Sequence, residues 1–154
     1  MKTLLYISYL LLIVSCGNSI NVKSNTEMKK EIIKTEQAPA PIGPYNQAIK
    51  IGNTLYTSGQ IALNVESGEL VLTDIKTETK QVMENMKAVL NAADMNFQDV
   101  VKTSIFIANM DDFVAINEVY GSYFEDATAP ARETVQVARL PKDVNVEISM
   151  IAVK

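Results

Sequence analysis

Read as an extended chain, Val144 to Val153 puts Val144, Val146, Ile148, Met150 and Ala152 on one face. Asn145, Glu147, Ser149, Ile151 and Val153 fall on the other. A strand with apolar residues on both sides belongs inside a sheet that is covered twice. Ile105-Phe106-Ile107 makes the same demand from a second strand, Val100 to Ile107. Thr54 to Ile61 and Thr134 to Leu140 also have strand composition. Gly52-Asn53 and Ser67-Gly68 punctuate the chain as hairpin turns.

Two helices interrupt these strands. From Ile75 to Ala93, the residues Ile75, Val82, Met83, Met86, Val89, Leu90 and Ala93 recur at helical spacing and form one apolar stripe. The second helix runs from Asp111 to Phe124, with Asp111 or Asp112 as N-cap and Phe113, Ile116, Tyr120 and Phe124 as its stripe. The pattern predicts an α+β layer, a mixed sheet with two helices packed on one face. Two helices cover only one face of such a sheet, so the other needs a partner or a second sheet, and a second copy of the chain is the simplest partner. The alternative is a monomer with a half-exposed apolar sheet.

The 154 residues divide unevenly. Lys2 precedes an 11-residue, mostly apolar run, Leu4 to Val14. A membrane-spanning helix takes about 20 residues, so this run suits a signal peptide instead. It ends Ile13-Val14-Ser15-Cys16-Gly17, which looks like a bacterial lipobox with the single Cys of the chain as the lipidated residue. An ordinary secretory signal and a buried helix are the competing readings. Residues 1–15 are thus expected to be a lipoprotein signal peptide, 16–30 a polar tether and 31–154 one compact domain. The expected address is the cell envelope, with the membrane reached through a lipid anchor on Cys16. Gly17 is not the Asp associated with inner-membrane retention, which favours the outer membrane.

Composition narrows the chemistry. There is no His, so neither a Ser-His-Asp nor a Cys-His triad can be built, nor a His-ligated metal site. With 14 basic against 18 acidic residues the net charge is −4, which argues against nucleic acid as a partner. No phosphate loop, dinucleotide fingerprint or metal-ligand spacing is present. What remains are carboxylates, Arg and hydroxyls. Arg132, after Pro130-Ala131, has the planar fork suited to a carboxylate. Glu147, in an apolar strand, is either paired or functional, and burial would raise its pKa toward that of a general base. A plain ion pair, Arg132–Glu147 or another Arg–Glu pair, accounts for both residues, and the residues alone favour it. Tyr45 after Ile42-Gly43-Pro44 is a pocket wall or a turn residue, and Gly59 in Ser58-Gly59-Gln60 permits close backbone approach to a ligand.

Several segments together resemble the RidA (YjgF/UK114) family: Ala38 to Tyr45, Leu55 to Ile61, Val100 to Thr103, Pro130-Ala131-Arg132 and Val137 to Val144. The resemblance spans 31–154. It implies a chorismate-mutase-like fold, a homotrimer with sites between subunits, and hydrolysis of 2-iminobutanoate/2-iminopropanoate-type enamine and imine acids to 2-oxo acids and ammonia, without a cofactor. It also implies roles: Arg132 binds the substrate carboxylate, Glu147 activates water, and Tyr45, Ser58, Asn117 and Thr134 line the pocket. Thr134 and Glu133 depart from the family pattern of Cys and a small residue. Strand alternation puts Thr134 on the face of Arg132 and turns Glu133 to the other. Two further functions suit the same scaffold: a module that binds a small carboxylate without turnover, and a chaperone-like holdase.

Overall fold

The computed structural model describes residues 29–154. The signal peptide, Cys16 and all but the last residues of the tether lie outside the described residues. In chain order the elements are β1 (Lys30–Ile33), β2 (Ala48–Ile51), β3 (Thr54–Thr57), α1 (Ile75–Ala92), β4 (Val100–Ile107), α2 (Phe113–Gly121), β5 (Ala131–Gln136) and β6 (Val146–Val153). Single 3₁₀ turns stand at Phe97–Asp99, Met110–Asp112 and Pro141–Asp143. One six-stranded sheet results, in the order β1-β2-β3-β6-β4-β5. All its pairs are antiparallel except β4–β5. That parallel pair needs a crossover, and α2 supplies it. The strand with two apolar faces, β6, occupies the middle of the sheet, where its pattern requires it to be.

Both helices lie on one face, as the stripe pattern predicts. Val82, Met83, Met86, Val89 and Leu90 of α1 and Ile116 and Tyr120 of α2 form a single buried core with Ile105, Ile107, Val146, Ile148 and Met150. Asp74 caps α1, its side chain accepting from the Lys76 and Thr77 amides at 3.0 Å each. The opposite face has no cover among the described residues. A row of cross-strand neighbours, Ile32, Ile49, Tyr56 and Ile151, runs across it. Ile32 and Tyr56 in that row, and Val135 near the other edge, are about half exposed.

Several boundaries differ from the sequence expectation, each for a local reason. The strand expected at Thr134 to Leu140 opens at Ala131 and closes at Gln136, because its partner β4 offers a parallel register only from Lys102 to Ile107. The last strand opens at Val146 rather than Val144, since Lys142 and Asp143 both take left-handed φ values of 57°. Asp112 stands at the N-cap position of α2, as expected, but its side chain makes no capping hydrogen bond. Asn109 instead accepts from the Asp111 amide, and residues 110–112 wind as a 3₁₀ turn ahead of the helix, which is shorter than Asp111 to Phe124. Two short strands, β1 and β2, went unread, and β1 takes in Lys30, the last residue assigned to the tether.

Candidate active site

The residues singled out from the sequence fall into two groups on opposite faces of the sheet. In the first, Glu147 of β6 sits between Val146 and Ile148, which are buried under the helices, so its own side chain points to the open face. It is half-buried against the backbone of Gly59. A Cβ added at Gly59 would overlap the carboxyl group, 2.7 Å from Cδ and 2.8 Å from Cγ. Ile42, Tyr45, Ser58, Gly59, Ile61 and Pro141 join Glu147 around a cleft of about 330 Å³. Burial alone pushes the Glu147 carboxyl above the ordinary carboxylate range. Among the described residues it has no basic partner.

The cleft wall is held from behind. The Ser58 hydroxyl donates to the Asn46 carbonyl at 2.6 Å and its amide to Gln47 O at 2.9 Å, so Ser58 anchors the loop that carries Tyr45. The Tyr45 hydroxyl accepts from the Ile42 amide at 3.2 Å, closing that loop on itself. Gln47 is buried; its Oε1 accepts from the Thr35 amide at 2.8 Å, and its Nε2 donates to Ala38 O at 3.0 Å and Pro39 O at 2.9 Å. Gln47 gave no signal in the sequence. Its role rests on contacts with residues 8 to 12 positions away.

The second group is built on β5 and α2. Arg132 pairs in register with Thr103, whose hydroxyl accepts from Tyr120 of α2 at 3.2 Å, so Arg132 lies on the helix face. Its guanidinium carbon stands 5.1 Å from the centre of the Tyr120 ring and 5.8 Å from that of Phe113, and it donates to Asn117 Oδ1. Burial raises the Tyr120 phenol, so this aromatic surface stays neutral beside the cation. Arg132 is exposed beyond these contacts and makes no salt bridge among the described residues, so the Arg132–Glu147 ion pair left open by the sequence does not form. Its fork keeps donors for a further acceptor. Thr134 shares this face, with its hydroxyl enclosed and unpartnered.

Glu133 turns away from Arg132. It accepts from Lys102 Nζ and Ser104 Oγ on the open face, and these two bonds hold its carboxyl below the ordinary range. A carboxylate next in sequence to the Arg therefore puts no charge beside it. Among the described residues no three His, Cys, Asp or Glu side chains gather as metal ligands.

Each chain thus presents two separate groups on opposite faces: a cationic fork on an aromatic bed, and a raised carboxyl group in an apolar cleft. The family model described as Endoribonuclease L-PSP matches residues 35–154. A Dermatophagoides farinae protein named 2-iminobutanoate/2-iminopropanoate deaminase is 52% identical over 124 residues, covering 80% of this chain and 96% of its own. A Pyrococcus horikoshii relative, 53% identical over 81% of this chain and 98% of its own, is named only as a RutC family protein. Among solved structures, TdcF from Escherichia coli with bound serine superposes with a TM-score of 0.76 at 44% identity, over 80% of this chain and 98% of that one. RidA from an Antarctic Psychrobacter gives 0.77 at 42% identity, over 80% and 99%. Matched over five of its six strands and both helices, the chain belongs to the Endoribonuclease L-PSP family, the group that includes RidA.

Proposed function

We propose that the chain hydrolyses 2-imino and enamine acids to 2-oxo acids and ammonia, at sites formed between copies of a homotrimer. The observation that carries this reading is the division of Arg132 and Glu147 between opposite sheet faces. A site that uses both requires a second chain to bring its open face against the helix side of the first. The uncovered row of Ile32, Tyr56 and Ile151 supports such an assembly, and the deaminase name of a relative half identical to this chain supports the chemistry. The serine bound to TdcF is a small amino acid carboxylate, the class of group that Arg132 suits.

In this reading the Arg132 fork binds the substrate carboxylate through paired N–H donors, with Asn117 and the two rings fixing its direction. That sets the imine carbon at the neighbouring chain's cleft. Glu147 takes a proton from water as the oxygen bonds to the imine carbon. Glu147 returns that proton to the carbinolamine nitrogen, and as ammonia leaves, the hydroxyl proton passes to the Glu147 carboxylate, giving the 2-oxo acid. A protonated imine is already a strong electrophile, so one base and one clamp supply what the reaction needs.

The test generates 2-aminoacrylate in the presence of the purified chain and follows keto-acid formation. Acceleration above the spontaneous rate is expected. A folded trimer without it refutes the deaminase reading and leaves a carboxylate-binding module. The pH profile follows from the sign of the Glu147 shift. The base works deprotonated, so the rate falls as pH drops through a pKa above the ordinary carboxylate range, and Glu147→Gln removes that limb. The same burial penalises the charged folded form, so the fold is more stable with Glu147 protonated. This stability contribution is complete below the unfolded pKa and is lost as pH rises through the folded one.

We further propose that the trimer is held at the cell envelope by lipid on Cys16. The support is the apolar run Leu4 to Val14 and the Ser15-Cys16-Gly17 junction. Expressed in a bacterium, Cys16→Ser is expected to move the protein from the membrane to the soluble fraction and to abolish labelling by a clickable fatty acid. An unchanged distribution overturns the anchor.

A further inference from the structure

Glu78, in the first turn of α1, is fully buried, and no step above uses it. Its oxygens meet only donors. Oε1 accepts from the Asn145 amide at 2.7 Å and the Val146 amide at 3.3 Å, and Oε2 from the Asn145 side-chain amide at 2.8 Å. A buried carboxyl group is costly without such bonds, and among the described residues no cation pairs with it. The two main-chain donors are the last before Glu147. The Asn145 carbonyl is fixed as well, accepting from the Ala108 amide at 2.9 Å. Beyond Glu147, Ile148 and Gln60 exchange bonds of 2.8 and 3.1 Å. Upstream lie the left-handed Lys142 and Asp143, a conformation that persists only where its surroundings enforce it.

We infer that Glu78 is a positioning residue for Glu147, an inference that rests on the deaminase reading. By gripping Asn145 and Val146 from the helix side, it sets the rotation with which β6 begins. That rotation decides where the Glu147 carboxyl enters the cleft on the other face. A carboxyl group displaced by a fraction of its working distance loses the geometry of proton abstraction while the carboxylate clamp, on another element, is untouched. The alternative is that Glu78 merely satisfies the amides at the start of the strand, in which case its loss lowers stability and nothing else.

The experiment compares wild type, Glu78→Ala, Glu78→Gln and Asn145→Ala in the 2-aminoacrylate assay, with thermal unfolding measured in parallel. Glu78→Ala is expected to lower kcat by about ten-fold with KM changed by less than about two-fold, the split that misplacing the base alone produces. Glu78→Gln is expected to restore most of kcat, because its oxygen keeps the main-chain amides while its NH₂ meets a turned Asn145 amide. A Glu78→Ala enzyme that melts earlier yet keeps the wild-type kcat overturns the inference. So does a Glu78→Gln variant as impaired as Ala. If Glu78→Ala does not fold, Asn145→Ala decides the matter, since it removes only the Oε2 bond. A fall in kcat of about two- to three-fold with KM held supports positioning, and an unchanged kcat overturns it. A wild type without imine hydrolysis removes the underlying reading instead, a result distinct from an active wild type indifferent to Glu78.

Discussion

Arg132→Ala and Glu147→Gln, each expected to lower kcat/KM by about a hundred-fold or more alone, restore activity when assembled together. The two variants damage different half-sites. A hybrid trimer joins the intact carboxylate clamp of a Glu147→Gln chain to the intact base of an Arg132→Ala chain. Every trimer that contains both variants has both groups in one of its three sites, so about a third of the wild-type rate is expected of the purified hybrids. The measurement is keto-acid formation after co-expression with two affinity tags, purifying only hybrids. Hybrids no more active than either parent show that the two residues do not share a site between chains. The double variant Arg132→Ala/Glu147→Gln, mixed with either single variant, is the control that cannot complement.

Gly59→Ala is expected to lower kcat by about a hundred-fold while leaving the fold close to its original stability. The added methyl group would occupy the place of the Glu147 carboxyl, within 2.8 Å of both Cδ and Cγ. What it meets is the end of a flexible side chain rather than packed core, so the chain relieves the clash by swinging Glu147 aside. The enzyme therefore loses the position of its base without losing structure. Activity and melting temperature measured on one preparation separate the two. A parallel collapse of both assigns Gly59 to folding, and full activity shows that the Glu147 carboxyl need not lie against this backbone.

Much of this architecture is legible in the residues because it rests on periodicity. The double-faced pattern of Val144 to Val153 put β6 in the middle of the sheet, and the stripe from Ile75 to Ala93 placed α1 on one side of it. Alternation along β5 separated Glu133 from Arg132, and Lys102 and Ser104 now hold Glu133 on the far face. What was not legible depends on contacts between distant segments. Arg132 and Glu147 could be read as partners because a sequence does not say which face a residue takes until strand register is known. β5 was misplaced because its ends are set by β4 rather than by its own composition. Gln47 and Glu78 looked like ordinary polar residues of a loop and a helix. Only the folded chain shows that each satisfies a cluster of backbone groups. The residue type at Gly59 suggests a ligand against its backbone, whereas in the fold the group that lies there is the chain's own Glu147 side chain.

The placement of Arg132 and Glu147 on opposite faces also has a genetic meaning. In the trimer proposed above, a chain would lend its Arg to the site on one side and its Glu to the site on the other, so no site would belong to a single gene product. A mutation in either residue disables only one of the two sites its chain serves, and a wild-type copy in the same cell keeps the other working. Alleles that damage both residues on one chain spoil the sites on both sides and are the ones expected to be dominant. Defects split between two alleles would complement in the heterozygote, so inheritance would report the assembly that the sheet implies.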